Sequence, residues 1–328
     1  MKEESQILFQ DPSKFSPVFR NVIEIAGKVA PHNITVLIEG ETGTGKEWLA
    51  RKIYFAGPRS NREFVAIDCS SYSNVFLESE LLGYVRGSFA GAIHDKKGLL
   101  ELANGGTVFL DHISKMKPTL QGKLFRILSD GTFYKIGGVA QIQVDIRLIA
   151  ATDEDLSLLV SKGKFREDLY YLLNVMCITI PPLRERREDI LILADWFLSE
   201  NTKRNGAEKK EFTKEAQSIL RSYDWPANVR ELEKEVEKSV ILTGSNKRIG
   251  PNHLAPILAK RKRSAINSKL VSRGSLKDQK RKMIAVLEKN AIEEALRKTA
   301  GNRTKAAQFL AISRQELIRK ISTYKIKA

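Results

Sequence analysis

The stretch Gly40-Glu41-Thr42-Gly43-Thr44-Gly45-Lys46-Glu47 decides the fold of this chain. It follows the apolar run Ile34-Thr35-Val36-Leu37-Ile38, which reads as a buried strand, and it precedes Trp48-Leu49-Ala50-Arg51-Lys52-Ile53, which reads as the opening turns of a helix. A G-x-x-x-x-G-K loop between strand and helix is a phosphate cradle. Gly40, Gly43 and Gly45 let the backbone turn its N–H groups toward an anion. The helix N-terminus adds partial positive charge and Lys46 adds a full one. Glu47 stands where such loops usually carry Ser or Thr. The rival reading, an ordinary glycine-rich turn, leaves the strand–loop–helix context unexplained.

The segments around this loop alternate. Apolar residues at helical spacing (Val18, Val22, Ile25, Val29) predict a helix from about residue 15 to 30, stopped by Pro31 and Asn33. Strands are expected at Phe64–Asp68, Thr107–Asp111, Ile146–Thr152 and Met176–Ile180, the last closed by Pro181-Pro182. Strands separated by helices imply an α/β fold, a parallel sheet with helices on both faces. Ligands of such sheets bind beyond the carboxyl ends of the strands, where Lys46, Asp68, Asp111, Thr152 and Asp153 fall. Asp111, ending an apolar strand, is placed to anchor magnesium beside a nucleotide. From Arg184 to about Leu258 the pattern is purely helical. Residues 260–282 carry Lys260-Arg261-Lys262-Arg263 and Lys280-Arg281-Lys282 around a Ser-rich stretch and read as a basic linker.

The 328 residues allow two or three domains, and an apolar fraction of 42% supplies a core. A net charge of +16 points to an anionic partner. Cys69 and Cys177 have no metal-ligand spacing and read as free, buried thiols in a reducing compartment. No run approaches the ~20 apolar residues that span a bilayer, and MKEESQILFQ has no signal-peptide core, so a cytoplasmic protein without a membrane partner is expected.

Six stretches now stand in order: Gly40–Glu47, GSFAGA at Gly87–Ala92, GGTVFLD at Gly105–Asp111, GKFREDLYY at Gly163–Tyr171, PPLRERREDI at Pro181–Ile190 and WPANVRELE at Trp225–Glu233. Together they resemble the AAA+ domain of bacterial enhancer-binding proteins, the sigma-54-dependent transcriptional activators. The resemblance runs from about residue 10 to 260 and resumes near the C-terminus. It implies an α/β nucleotide-binding subdomain over 10–182, a helical lid over 183–259, and a ring, usually hexameric, with each site shared between two subunits. It implies ATP and Mg2+ as cofactors, held by residues 40–47 (Gly40, Glu41, Thr42, Gly43, Thr44, Gly45, Lys46, Glu47), by Asp111 on the metal and by Arg230 as the sensor arginine of the lid. Arg166 resembles an arginine finger reaching a neighbour's nucleotide; a guanidinium matches the spread charge of the γ-phosphate and stays protonated. The bland alternative for Arg166 and Arg230 is an ion pair with Glu167 or Glu231, which contributes little. The loop Gly87, Ser88, Phe89, Ala90, Gly91, Ala92 resembles the one that contacts the sigma factor.

Several positions depart from the family's pattern. The glutamate that orients the attacking water is His112, retained as a candidate catalytic base because imidazole titrates near neutral pH. The second arginine finger falls at Leu172, the sensor asparagine at Asp153, the asparagine after the second strand at Asp68, and the key threonine of the contact loop at Ala90. Losing a positioned base costs roughly 10²–10⁴ in rate, and losing a finger roughly 10³–10⁵. These effects are not additive, but either alone slows hydrolysis. The leading expectation is therefore a DNA-binding transcription regulator whose AAA+ domain binds ATP as an assembly ligand. The alternatives are a working ATPase that remodels sigma-54 RNA polymerase, and a non-catalytic partner in a ring mixed with a paralogue. No segment ahead of the ATPase resembles a sensory domain, so control is expected from a partner, expression level or a small ligand.

The last segment, 283–328, predicts a Fis-type helix-turn-helix. Ile284, Leu287, Ala291, Ala295 and Leu296 form an apolar stripe; Asn302 caps a helix from Arg303; a turn falls at Ala311-Ile312; and Ser313 with Glu316 makes a capping-box pattern before a second helix. Leu317, Ile318 and Ile321 are expected inward. Arg314, Gln315 and Arg319 are expected to meet base edges of double-stranded DNA from a helix that Ser313 starts, and Arg303, Lys305 and Lys320 its phosphates.

Overall fold

Ser16 and Pro17 start the first helix, α1 (Pro17–Val29): the Ser16 hydroxyl accepts the N–H of Phe19, and proline occupies the first turn, where its missing donor is no loss. The molecule is described from a computed structural model. The residues it describes are 12–204, 210–256, 288, 292, 295, 296, 299, 302–310 and 312–324. The basic linker and Ile284, Leu287, Ala291 and Ala311 lie outside them.

After α1 come β1 (Val36–Glu39), α2 (Lys46–Phe55), β2 (Phe64–Asp68), α3 (Asn74–Leu82), β3 (Gly83–Tyr84), β4 (Lys96–Lys97), α4 (Leu99–Leu102) and β5 (Thr107–Asp111). Then follow α5 (Pro118–Asp130), β6 (Thr132–Tyr134), β7 (Gln141–Gln143), β8 (Arg147–Thr152), α6 (Leu156–Ser161), α7 (Glu167–Leu173) and β9 (Cys177–Thr179). Five strands pair in the order β2-β5-β8-β1-β9, every pair parallel. The central strands are apolar on both faces because both faces are covered: Val36, Leu37 and Ile38 of β1 are fully buried, as is every residue of β8. One core joins α1, α2 and the lid to one face; the other packs α3, α5, α6 and α7 on the opposite face. The register sets Asp68 beside Asp111 and Glu39 beside Thr152, so the polar strand ends share one edge of the sheet.

Two short antiparallel ribbons, β3 with β4 and β6 with β7, interrupt the α/β alternation. Strands of two or three residues have no readable period, which is why sequence patterning passes over them. The first strand sits two residues later than the apolar run suggests, with Ile34 half-buried before the ladder. Cys69 is buried in the turn after β2, where burial pushes its thiol up to about 12. Cys177 is exposed, against expectation: it lies on β9, an edge strand.

The lid follows Pro181-Pro182. It comprises α8 (Asp189–Arg204), β10 (Glu211–Phe212), α9 (Lys214–Ser222), α10 (Asn228–Thr243) and β11 (Arg248–Ile249), with β10 and β11 paired. Trp225 is fully buried among these helices and its indole N–H donates to the Leu220 carbonyl at 3.0 Å. Contacts divide the chain into two units, Met1–Lys260 and Arg261–Ala328.

In the second unit, residues 288, 292, 295 and 296 are helical and precede α11 (Arg303–Phe309) and α12 (Arg314–Thr323). Its core is Ile292, Ala295, Leu296, Ala306, Ala307 and Leu317. Ile318 is 42% exposed and corrects the expectation that it faces inward: Leu317 and Ile321, four residues apart, already define the buried stripe.

Candidate nucleotide site and nucleic-acid interface

The loop between β1 and α2 holds its shape through its own backbone. Gly43 and Gly45 adopt left-handed φ angles of 80° and 105°. At Gly43 the reason is also spatial, since a Cβ there would sit 2.2 Å from the Ala227 carbonyl oxygen of the lid. Gly40 accepts in turn: its carbonyl takes the Lys46 ammonium at 2.8 Å, and the Glu41 carbonyl takes it at 3.3 Å. The ammonium thus lies over the loop, 5% exposed as a residue. Burial lowers its pKa, while the nearby carboxylates of Asp111 and Asp153 act in the opposite direction. The Thr44 hydroxyl donates to the Glu41 carbonyl, tightening the turn. Glu47 has turned away onto Arg51, 2.7 Å distant along the outside of α2.

Four side chains the sequence placed at strand ends do converge. Thr42 donates to Asp153 at 2.9 Å. His112 lies between three carboxylates: Nδ1 is 3.0 Å from Asp68 and 3.7 Å from Asp111, and Nε2 is 4.0 Å from Asp153. The His112 N–H donates to Asp111 at 2.8 Å. Asp68 is fixed from its other side by the Ser70 N–H and by the Ser70 and Ser71 hydroxyls, and its carboxyl is lowered to about 2. Burial opposes that shift; the serine hydrogen bonds and His112 outweigh it together.

Sequence reasoning missed how firmly the lid grips this loop. Arg184 pairs with Glu41 through both terminal nitrogens, at 2.6 and 2.8 Å. Asn228, fully buried and left-handed (φ 53°), donates to the Glu41 carboxylate and to the Thr42 carbonyl, and accepts the Leu183 N–H. Val229 and Arg230 N–H groups donate to the Gly43 carbonyl. Arg186, 2% exposed, donates to the Thr44 carbonyl and stacks 4.1 Å from the Phe19 ring centroid; burial lowers it to about 10. Arg230 itself has an exposed side chain beside Gly43, within reach of Lys46 electrostatically. The Glu231 carboxylate takes the Tyr223 hydroxyl and the Ala227 N–H. The signal for this clasp was the Arg-Glu-Arg run at 184–186, read only as part of a motif.

Arg166 caps α7 from outside. Its N–H donates to Gln121, and its half-exposed guanidinium pairs with Asp168 at 2.6 Å, so the partner is Asp168 and not Glu167. The loop Gly87–Ala92 is closed on itself: the Gly87 N–H donates to the Ala92 carbonyl, and the Ala92 N–H to the Phe89 carbonyl. Ala92 is buried, Ser88 half-buried, and Phe89 exposed at the tip with its ring edge-on to Tyr84. Gly87, Ala90 and Gly91 are exposed.

In the second unit, Asn302 accepts the Thr304 and Lys305 N–H groups, and Ser313 accepts the Glu316 N–H, so the Ser313 hydroxyl is engaged as a helix cap. Arg303, Lys305, Arg314, Gln315 and Arg319 are exposed. Lys320 departs from them: its ammonium is 2.7 Å from Glu288, which also accepts the Tyr324 hydroxyl.

The family model of the sigma-54 interaction domain matches residues 13–179, just over half of the chain. The chain belongs to this family. The model of the AAA+ ATPase lid domain matches residues 184–270, and that of the bacterial regulatory protein, Fis family, residues 284–324. The chain is 42% identical over 310 residues to the transcriptional regulatory protein ZraR of Salmonella typhimurium, covering 94% of this chain and 67% of that protein. It is 40% identical over 313 residues to the regulatory protein AtoC of Escherichia coli, covering 95% and 67%. The crystal structure of NtrX from Brucella abortus in complex with ADP is similar, with a TM-score of 0.71 at 28% identity over 95% of this chain and 69% of that one. This sigma-54 interaction-domain protein is thus a transcription regulator with an ATP-binding AAA+ domain and a Fis-type DNA-binding domain. Among the described residues no helix is long and apolar enough to cross a membrane.

Proposed function

We propose that this regulator binds ATP with Mg2+ at the Lys46 loop, assembles with other copies around that nucleotide, and hydrolyses it slowly. The observation that carries the reading is His112, which follows Asp111 and is drawn onto Asp68 at 3.0 Å. The position that would hold a water-orienting carboxylate therefore presents an imidazole instead. Magnesium, when bound, neutralises phosphate charge. Its fit is with Asp111, since no group of three ligating side chains stands ready among the described residues and Mg2+ is held by one or two carboxylates plus phosphates.

Lys46 would leave the Gly40 and Glu41 carbonyls for the β- and γ-phosphates, while the backbone of residues 40–47 cradles them. Arg230 would close on the nucleotide from the lid. Arg166 would exchange Asp168 for the γ-phosphate of a neighbouring subunit, coupling assembly to nucleotide state. The exposed face of α12, with Arg314, Gln315 and Arg319, would read double-stranded DNA, with Arg303, Lys305 and Lys320 on phosphates once Lys320 releases Glu288. The Phe89 loop would meet RNA polymerase holoenzyme, its contact altered by Ala90. This work would take place in the cytoplasm.

Sedimentation of the purified protein with and without ATP, beside an ATP-turnover assay, tests this. ATP-dependent assembly with slow turnover supports the reading. Turnover that appears only when an intact paralogue is added favours a mixed ring over a homo-oligomer, as the half-buried Leu172 at the second finger position allows. Failure to bind ATP overturns it.

A further inference from the structure

Each turn of α12 has two sides. On one, Leu317 is buried and Lys320, Ile321 and Tyr324 are half-buried, three and four residues apart. On the other, Arg314, Gln315, Ile318, Arg319 and Ser322 are exposed at the same spacing. Ile318 stands one helical turn after Arg314 and beside Arg319, 42% exposed and outside the apolar cluster around Leu317. A single exposed apolar residue is ordinary on a protein surface. This one is set among two guanidiniums and an amide. No carboxylate shares its side, because Glu316, the acid of α12, is half-buried on the flank.

That composition suits an anionic surface that also offers a small apolar group. Double-stranded DNA is such a surface. Its major groove presents acceptors on guanine and an acceptor–donor pair on adenine, which suit arginine and glutamine, and one apolar knob, the C5 methyl of thymine. Ile318 is branched at Cβ and keeps few rotamers in a helix, so little freedom is lost when it is fixed against a base. A protein partner fits less well, since the apolar centre of such a contact is depleted of charge and this side of α12 has one apolar side chain. We propose that Ile318 is a specificity-determining residue that packs against the C5 methyl of a thymine in the target site. The proposal rests on the reading that α12 meets base edges. It adds an apolar contact to the hydrogen bonds of Arg314, Gln315 and Arg319, and it assigns thymine to a position that those side chains leave unread.

The test begins by selecting the preferred site of the full chain from a random duplex library. Each thymine of that site is then replaced by deoxyuridine, which keeps the hydrogen-bonding groups and lacks only the methyl. Affinity is read by fluorescence anisotropy. At one position the replacement should weaken binding by the parent roughly fourfold, the worth of one methyl group taken out of water. Ile318→Ala should bind the two duplexes equally, with Ile318→Val between it and the parent. Ile318→Ala should also keep the parent's salt-sensitive binding to unrelated DNA, because its phosphate contacts are untouched. A parent indifferent to every thymine methyl, or a methyl effect that persists in Ile318→Ala, overturns the proposal. If Ile318→Ala loses binding to unrelated DNA as well, the side chain holds the fold and the proposal falls. A changed sedimentation of DNA-free Ile318→Ala with thymine discrimination intact assigns the residue to a protein contact instead. A parent that selects no site, or a double alanine variant at Arg314 and Gln315 that keeps the parent's site preference, removes the reading of α12 beneath the proposal.

Discussion

Arg184 of the lid holds Glu41 of the phosphate loop through two hydrogen bonds, and Asn228, the first residue of α10, holds the same carboxylate. Lid position and loop shape are therefore one structural variable. Both ends of the Arg184–Glu41 pair are about 40% exposed, so its direct contribution to stability is small. Arg184→Ala should leave the urea midpoint nearly unchanged but alter ATP-analogue affinity by roughly fivefold, a coupling of about 1 kcal/mol. A change in stability without a change in affinity would show that the clasp is structural only.

Asn228 is a different case, because it is fully buried and left-handed. Asn228→Ala strands the Leu183 N–H and the Thr42 carbonyl and puts a Cβ-bearing residue with no local hydrogen bond into left-handed space. It should destabilise the ATPase unit by about 2–4 kcal/mol in urea titrations. Asn228→Gly removes only the backbone strain and should lie between the two.

Asp68 makes stability depend on pH in a stated direction. Its folded pKa of about 2 lies below the ordinary 3.8, so the stabilisation is complete above about 4 and is lost as pH falls toward 2. The side chain is 41% exposed, and solvent screening reduces the effect to the order of 1 kcal/mol. Denaturation curves of the parent and Asp68→Asn should differ at pH 6 and converge toward pH 2–3; a constant gap contradicts the assignment.

The two thiols should separate. Burial holds both thiols neutral, pushing Cys69 up to about 12 and, with Glu39 beside it, Cys177 up to about 11, so access decides: Cys177 is exposed on the edge strand and Cys69 is buried. Under native conditions a thiol reagent should label Cys177 and reach Cys69 only after unfolding, as peptide mapping would reveal.

In the DNA-binding unit, replacing Arg314 and Gln315 by alanine should abolish site preference while keeping salt-sensitive general binding, measured by fluorescence anisotropy across salt concentrations. Unchanged specificity would move base reading away from α12.

Much of the fold was legible because its signals are local. The apolar runs at 36–38 and 108–110, bounded by glycines and turn residues, read as strands covered on both faces, and Gly43 announces a left-handed turn. What escaped the sequence depends on contacts far along the chain. Nothing near Glu41 indicates that Arg184 and Asn228 will meet it 143 and 187 residues later. Read singly, Asp68, His112 and Asp153 are three losses; only the strand order makes them neighbours. Exposure of Ile318 and Cys177 failed for a simpler reason: an apolar residue at the border of a stripe, or on an edge strand, has no periodic mark saying which side it takes.

The central claim is that this chain grips ATP with an intact loop while the apparatus that attacks it works slowly. It is tested most directly by restoring that apparatus and comparing steady-state ATP turnover. The double variant His112→Glu and Leu172→Arg should exceed the parent by at least about 10²-fold, given that a finger alone supplies roughly 10³–10⁵, with nucleotide affinity preserved. A parent protein that already turns over ATP within about threefold of a folded, ATP-binding variant would contradict the account.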